Sequence, residues 1–251
     1  MELKVLGSVS PYPRLDHNCP GFLVTVKDKK ILLDCGNGTL RLLDPSMDLE
    51  NLNVIITHLH ADHYGDLSSL AYMSYIENKL GNLKERVKVY LPNDHNNLEY
   101  LYFNSIEHNY WEINYYNEYN SINIDADIKI SIKKTLHDIL CYAVRIDYCN
   151  NSLVYSADTG YQENYFTEFI SNTDLFICES SFLKEHNKSD NNHLYSYQAG
   201  LYAKEGSVKE LMLTHFYPTI DRYLYLEEAK KIFPNTDLAN ENMIKKIGER
   251  L

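Results

Sequence analysis

Positive charge is scarce in this sequence. Its 251 residues include 24 Lys and Arg against 35 Asp and Glu, which gives a formal net charge of −11. Proteins that bind long nucleic acids normally attract the phosphates with clustered Lys and Arg. We therefore expect no long RNA or DNA as a partner.

Long apolar runs and paired cysteines are also lacking. No stretch approaches the roughly 18 apolar residues of a membrane-spanning helix, and residues 1–7 are too short in apolar length for a signal peptide. The cysteines are odd in number and mostly lie within or beside apolar runs: Cys19, Cys35, Cys141, Cys149 and Cys178. This pattern is typical of reduced core residues. We expect a cytoplasmic protein, in a bacterium or an infected host, that makes no use of a membrane.

Histidine, in contrast, is concentrated in one short stretch. The segment Thr-His-Leu-His-Ala-Asp-His at 57–63, called here the histidine loop, directly follows the apolar run 53–56. Imidazole is the commonest neutral metal ligand, and carboxylate is its natural hard partner. A histidine-rich surface loop is the alternative, but chance would seldom produce this cluster from 10 His in 251 residues. The loop predicts a site for one or two Zn²⁺-like ions.

Short strand-like runs alternate with helical patterns along the rest of the chain. Strands are predicted at 3–9, 22–27, 30–34, 53–57, 87–91, 128–132, 141–148, 152–156, 174–178, 208–213 and 237–239. Helices are predicted at 39–43, 66–80, 163–170, 195–205 and 222–233. This order predicts an α/β fold in which two mixed sheets lie between helices, an αββα layering. The length suits one domain spanning residues 1–251.

Four further residues of ligand type follow predicted strands: His137, Asp158, Glu179 and His215. Each of them alone is more typical of a loop cap than of a ligand. Their order after the histidine loop is what makes them informative.

This order resembles the metallo-β-lactamase superfamily, whose motifs run as an early Asp, then H-x-H-x-D-H, then a His, an Asp and a last His. The matching residues are Asp34, His58, His60, Asp62, His63, His137, Asp158 and His215. The resemblance implies two Zn²⁺ ions, with Mn²⁺ as an alternative. It implies that the first metal is held by His58, His60 and His137. It implies that the second is held by Asp62, His63 and His215, with Asp158 bridging the two. Asp34 would orient the histidine loop without binding metal.

The chain's last His lies in Leu-Met-Leu-Thr-His-Phe-Tyr-Pro at 211–218, which resembles the phosphodiesterase branch that contains the tRNA 3′-processing endonuclease RNase Z. In that branch a His before the penultimate helix protonates the leaving oxygen, and His193 matches its place. Leu194 and Tyr195 follow it instead of small hydroxyl residues, so a helix-entry residue without catalytic consequence is the alternative. The resemblance implies Asp62 and His193 as the catalytic residues.

RNase Z itself is disfavoured, because His137 and Asp158 are only 21 positions apart where RNase Z inserts its tRNA-gripping arm. The chain is similar to the arm-less phosphodiesterases of the YhfI type and to the phage anti-Pycsar enzymes. This resemblance implies a homodimeric hydrolase of 3′,5′-cyclic mononucleotides (cyclic CMP and UMP, with cyclic AMP and GMP as further substrates) and a role in immune evasion. The alternatives are an RNase Z-like tRNA 3′-end endonuclease, another metal-dependent hydrolase of thioesters, lactones or β-lactams, and a non-catalytic nucleotide sponge.

The remaining candidates are weaker. His17 lies in a loop predicted to face the metals, where it contacts substrate or is simply solvated. His95 and His108 flank an aromatic stretch and lack ligand spacing, and His186 lies in the polar loop 184–192, where we expect it to be solvated. The aromatic residues of 95–119 are predicted to form a core or subunit contact, with capping of the site as the alternative.

Overall fold

A computed structural model describes residues 1–94, 111–119, 122–186 and 191–248. Seven of its strands form the first sheet: β1 (Glu2–Gly7), β2 (Gly21–Val26), β3 (Lys29–Leu33), β4 (Leu52–Ile55), β5 (Lys88–Pro92), β6 (Glu112–Tyr116) and β13 (Ile244–Lys246). Their order is β13-β1-β2-β3-β4-β5-β6. The strands from β13 to β3 pair antiparallel, and those from β3 to β6 pair parallel.

The second sheet contains six strands: β7 (Ile128–Lys134), β8 (Tyr142–Tyr148), β9 (Asn151–Tyr155), β10 (Leu175–Glu179), β11 (Leu211–Thr214) and β12 (Thr236–Leu238). Their order is β12-β11-β10-β9-β8-β7. Pairing is antiparallel from β7 to β9 and parallel from β9 to β12. Both sheets are therefore mixed, as predicted.

The helices within the described residues are α1 (Pro45–Asp48), α2 (Ala61–Tyr64), α3 (Leu67–Lys79), α4 (Ser196–Glu205) and α5 (Arg222–Lys230), together with a 3₁₀ turn at Thr39–Leu42. Asp44 caps the N-terminus of α1 and Asp221 caps that of α5, since each side chain accepts a hydrogen bond from a backbone amide of the first turn. None of these helices is long and apolar enough to cross a membrane.

Three apolar clusters define the layers. Phe22 and Val24 of β2 point between the sheets and pack with Val144 of β8, whereas Leu23 points to the outer face of the first sheet. Because successive strand side chains alternate between faces, a strand buried on both faces reads as a continuous apolar run. Helix α3 covers the first sheet's outer face, and α4 and α5 cover that of the second. The αββα layering is confirmed.

Some local predictions were wrong. Residues 163–170 form turns rather than a helix, and α1, α2, β6 and β13 were not predicted. In the aromatic stretch, Trp111 and Tyr116 are buried, and the Tyr116 hydroxyl donates to the Ile56 carbonyl at 2.7 Å. The core interpretation therefore holds for these two residues. Tyr119 is 92% exposed, and residues 95–110, with His95 and His108, lie outside the described residues.

Candidate active site

Strand ends from both sheets deliver the site residues to one place. Strand β4 is followed by the histidine loop, β9 by Asp158 and β11 by His215. These strands lie in the parallel halves of their sheets, whose carboxyl ends share one edge. Asp34 and His215 have positive φ angles of 59° and 64°. Non-glycine residues seldom adopt this conformation, so the surrounding structure must hold these two residues in it.

A first donor group consists of His58, His60, His137 and Asp158. The Nε2 atoms of His58 and His137 lie 3.2 and 3.1 Å from Nδ1 of His60. Oδ2 of Asp158 lies 3.5 Å from Nε2 of His58 and 3.9 Å from Nε2 of His137. Four donor atoms therefore converge on one point.

A second donor group consists of Asp62, His63 and His215. The Nε2 atoms of the two histidines are 3.3 Å apart, and Oδ2 of Asp62 lies 3.6 and 3.7 Å from them. Oδ1 of Asp158 is 3.3 Å from Nε2 of His63 and 3.0 Å from Nε2 of His215. One carboxylate thus presents one oxygen to each group, which is the arrangement that a bridging ligand requires.

The donor sets fit divalent cations. Zn–N and Zn–O bonds of about 2.0–2.1 Å in tetrahedral geometry imply ligand atoms about 3.3 Å apart, and the separations above lie around this value. Oδ1 of Asp158 is buried and accepts no hydrogen bond, although two imidazoles lie within 3.3 Å. An unsatisfied buried carboxylate oxygen is costly unless a cation is its partner.

Hydrogen bonds fix the tautomers of the donor histidines. Nδ1 of His63 contacts the Asp34 carboxylate at 2.7 Å, and Nδ1 of His137 contacts the Asn192 carbonyl at 3.2 Å. Both partners only accept, so each Nδ1 carries the proton and each Nε2 presents its lone pair to the donor group.

Two hydroxyls achieve the same result for His58 and His215. Thr57 donates to Asp34 and so accepts from Nδ1 of His58 at 3.1 Å. Ser181 donates to Glu179 and so accepts from Nδ1 of His215 at 2.8 Å. The Nε2 lone pairs of His58 and His215 are therefore also directed at the donor groups.

Asp34 connects several of these contacts. Its Oδ1 accepts from the Thr57 amide at 2.8 Å, while its Oδ2 accepts from Thr57 Oγ1 at 3.0 Å, Tyr155 Oη at 2.9 Å and His63 Nδ1 at 2.7 Å. It lies in neither donor group. The donor carboxylate of Asp62 is also held by a hydroxyl, because Ser10 Oγ donates to its Oδ2 at 2.7 Å.

Burial and neighbouring charges shift the pKa values of the donor side chains in opposite directions. Burial lowers the pKa of His58 well below its ordinary value, which favours the neutral form that binds metals. Burial also disfavours protonated His215, but Asp158 and Asp62 outweigh it and raise the pKa of His215 to about 10. Burial opposes the charge of Asp62, yet His63 and His215 hold its pKa below the ordinary value. A cation at these donors would compete with the histidine protons.

His193 lies beside the donor groups with a different partner. Its Nδ1 contacts Oε1 of the fully buried Glu179 at 3.0 Å, and its ring stacks on His215 with centroids 5.3 Å apart. Nδ1 is also the atom nearest Asp158, 4.0 Å from Oδ2. Because Nδ1 donates to Glu179, it has no lone pair for a metal there, which favours proton donation over ligation. Burial lowers the pKa of His193, but Glu179 outweighs it and raises the pKa above the ordinary value.

The remaining candidates lie away from the donor groups. Nδ1 of His17 is 3.2 Å from Glu241, in a cleft of about 320 Å³ that Arg222 also lines. His186 is half-buried and accepts from the Leu183 amide at 3.0 Å, so the prediction that it is solvated was wrong.

Sequence reasoning assigned no role to four residues that fix the donors, Ser10, Thr57, Tyr155 and Ser181, and it marked Glu179 only as a residue of ligand type. Thr57 and Ser181 are adjacent to motif residues, so their position was a usable signal. Ser10 and Tyr155 carry no comparable signal, because their partners are distant in the chain.

Comparisons with known proteins agree with this geometry. The chain is 29% identical to the probable metallo-hydrolase YhfI of Bacillus subtilis, over 93% of this chain and 94% of that one. The crystal structure of YhfI superposes with a TM-score of 0.87 at 25% identity, covering 97% and 98% of the two chains. Ribonuclease Z of Clostridium kluyveri is 27% identical over 99% of both chains. The short form of human tRNase Z shares the fold, with a TM-score of 0.76 at 17% identity, covering 99% of this chain and 100% of that one.

The metallo-β-lactamase fold is thereby confirmed, and the donor groups together with these relatives support a metal-dependent hydrolase. The family model for "Anti-Pycsar protein Apyc1" matches residues 1–232. The chain therefore belongs to the family of the anti-Pycsar protein Apyc1.

Proposed function

We propose that the protein is a dinuclear zinc phosphodiesterase that hydrolyses 3′,5′-cyclic mononucleotides to 5′-monophosphates. The observation that carries the proposal is His193, held by Glu179 beside two donor groups that share Asp158. Two donor groups alone would serve any hydrolysis. A proton donor next to them suits a substrate whose leaving oxygen is strongly basic, such as a ribose alkoxide.

The residues divide the reaction between them. Two divalent cations bound here would make water nucleophilic near neutral pH and offset the charge of the phosphodiester. Seven side chains would hold them, with Asp62 fixed by Ser10 and Asp158 shared. Glu179 accepts from Nδ1 of His193, which stabilises the protonated ring and keeps its orientation. As the water oxygen bonds to phosphorus and the P–O3′ bond breaks, His193 gives the proton on Nε2 to O3′ and becomes neutral.

A small substrate fits the rest of the molecule better than a precursor tRNA. Between His137 and Asp158 the chain forms only the β8–β9 hairpin, with its turn at Cys149 and Asn150. The alignment with ribonuclease Z of Clostridium kluyveri runs over 313 positions against 251 residues in this chain, so at least 62 positions of that enzyme have no counterpart. A single phosphodiester can be neutralised by two metals without the basic surface that a long nucleic acid needs.

The biological setting follows from the family. The family's name, anti-Pycsar, supports a role in removing cyclic nucleotide signals during immune evasion. We propose that the activity lies in the cytoplasm of a bacterium or of an infected host, in a homodimer in which residues 1–251 of each subunit form a single domain. Mn²⁺ is the alternative metal.

The test is a substrate panel with metal-loaded protein. Incubation with 3′,5′-cyclic CMP, UMP, AMP and GMP should give 5′-monophosphates, and chelation should stop the reaction. Asp62→Ala and His63→Ala should abolish turnover, because each removes a donor. Asp28→Ala, at an exposed carboxylate that pairs with Lys29, is the matched control and should retain it.

Four intact nucleotides after incubation with protein carrying both metals would refute the proposal. A mature tRNA 3′ end produced from a precursor would instead support an RNase Z-like endonuclease. A stoichiometric nucleotide complex without product would support a sponge.

A further inference from the structure

A close backbone approach connects Gly160 with the segment 191–194. A Cβ atom on Gly160 would lie 1.6 Å from the Asn191 carbonyl oxygen and 2.7 Å from its carbon, so no other residue fits here without moving the segment's backbone. Gly160 also donates to the Leu136 carbonyl at 2.7 Å and accepts from Tyr202 Oη at 3.0 Å. Its own position is therefore fixed by the β7–β8 loop and by helix α4.

The Asn191 side chain holds the other side of this contact. Its Oδ1 accepts from the Tyr161 amide at 3.2 Å, and its Nδ2 donates to the Tyr161 carbonyl at 2.9 Å. One side-chain amide thus satisfies both backbone groups of the residue after Gly160. The chain turns away from these bonds directly into the active site.

The three residues after Asn191 each contact the site. The Asn192 carbonyl contacts Nδ1 of His137, and Nδ1 of His193 contacts Glu179. The Leu194 amide donates to Oε2 of Glu179 at 3.1 Å. A displacement of the segment would therefore move both His193 and the carbonyl that orients His137.

We infer that Gly160 and Asn191 are positioning residues that hold the segment 191–194, with its His193, against the metal donors. Gly160 provides space for the Asn191 carbonyl, and the Asn191 side chain forms the hydrogen bonds that fix the segment. The inference rests on the proposed role of His193. Neither residue contacts the reacting atoms, so both act through the placement of the imidazole. Proton transfer requires hydrogen-bond distance to the leaving oxygen, and an error of about 1 Å can cost about 100-fold in rate.

Two substrates that differ in the leaving group separate positioning from general damage. A cyclic nucleotide expels a basic ribose alkoxide that needs a proton, whereas bis(p-nitrophenyl) phosphate expels a weakly basic phenolate that does not. The measured quantity is the ratio of kcat for cyclic CMP to kcat for the aryl diester, on protein with its metal content determined. His193→Ala sets the reference, with an expected fall of about 10²–10⁴-fold on cyclic CMP.

Gly160→Ala should lower the ratio about 100-fold, and Asn191→Ala should lower it about tenfold, since it removes two hydrogen bonds without a steric clash. Gly81→Ala is the control, because Gly81 has a φ of 79° but no atom within 4 Å of a Cβ. It should reduce thermal stability and leave the ratio unchanged.

A second readout does not depend on catalysis. Hydrogen exchange at the Leu194 amide should accelerate in Gly160→Ala and Asn191→Ala but not in Gly81→Ala. Unchanged ratios, or equal losses on both substrates, in Gly160→Ala and Asn191→Ala would overturn the inference, as would unchanged exchange. If the unaltered protein cleaves only the aryl diester, the proposed function fails instead, and the exchange result still decides whether Gly160 and Asn191 hold the segment.

Discussion

Replacing Asp34 with Asn tests whether a residue outside the donor groups controls metal binding. The change keeps the size and shape of the side chain, and Asn tolerates the positive φ of this position better than most residues. Only the acceptor pattern changes. Oδ2 of Asp34 accepts from three groups and Oδ1 from one, and the side chain is fully buried.

Either orientation of the new amide is unfavourable. If its NH₂ group takes the place of Oδ2, Nδ1 of His63 must become an acceptor, so the proton moves to the Nε2 atom that faces the second donor group. If the NH₂ group takes the place of Oδ1 instead, it opposes the Thr57 amide 2.8 Å away, and a buried donor is left unsatisfied at about 1–3 kcal/mol. Substitutions of this kind lower metal affinity by about 10–100-fold, which corresponds to about 1.4–2.7 kcal/mol.

The assay is competition with a chelator of known affinity, with metal content measured on the same samples. Asp34→Asn should weaken metal binding at the second donor group more than at the first, because Asp34 contacts His63 directly but reaches His58 only through Thr57. Asp66→Asn is the control, because this carboxylate accepts from the Gly38 and Leu40 amides and belongs to neither of the two groups of metal-ligating residues. Wild-type affinity for both metals in Asp34→Asn would show that the tautomer argument is wrong.

Two further predictions concern the fold. Tyr116→Phe should destabilise the protein by about 1–2 kcal/mol in urea unfolding, because the buried Ile56 carbonyl loses its partner, whereas Tyr119→Phe at an exposed position should have no effect. A thiol reagent near neutral pH should label Cys149 alone in the native state, since the other cysteines are buried and burial raises the pKa of Cys19 and Cys35 to about 12. Mass mapping identifies the labelled residue, and rapid labelling of Cys35 would contradict the structure.

The layering of the fold and the convergence of the donors could be predicted from the sequence for different reasons. Strands such as β2 and β4 are short, nearly continuous apolar runs, and this pattern predicts strands that are buried on both faces. The donors follow strand ends, and parallel strands bring those ends to one edge. The turns at 163–170 were mistaken for a helix because their apolar residues, Phe166 and Ile170, have helical spacing although they serve the core of the second sheet.

The residues that fix the donors from distant parts of the chain could not be predicted, because hydrogen-bond partners across a fold leave no periodic trace. Tyr155 reads as one more buried strand residue, and only the structure shows its hydroxyl on Asp34, 121 positions away. Glu179 ends β10, and Asp158 follows β9 by three residues, yet only Asp158 lies in a donor group; Glu179 contacts His193 and the Leu194 amide instead.

The distinction between a ligand and a proton donor illustrates this limit most sharply. His193, His215 and Asp158 form a donor triplet by proximity alone, and the residue types would permit a metal there. What separates the two histidines is the atom that each directs inward. His215 presents Nε2 while Ser181 contacts its Nδ1, whereas the inward atom of His193 is the Nδ1 that Glu179 already engages. Because an imidazole nitrogen that donates a hydrogen bond cannot also bind a metal, the contact with Glu179 disfavours His193 as a ligand through Nδ1 and supports its proposed role as a proton donor through Nε2. Glu179 also acts on the other ring, since Ser181 donates to Glu179 and so accepts from Nδ1 of His215, which directs the Nε2 lone pair of His215 to the second donor group.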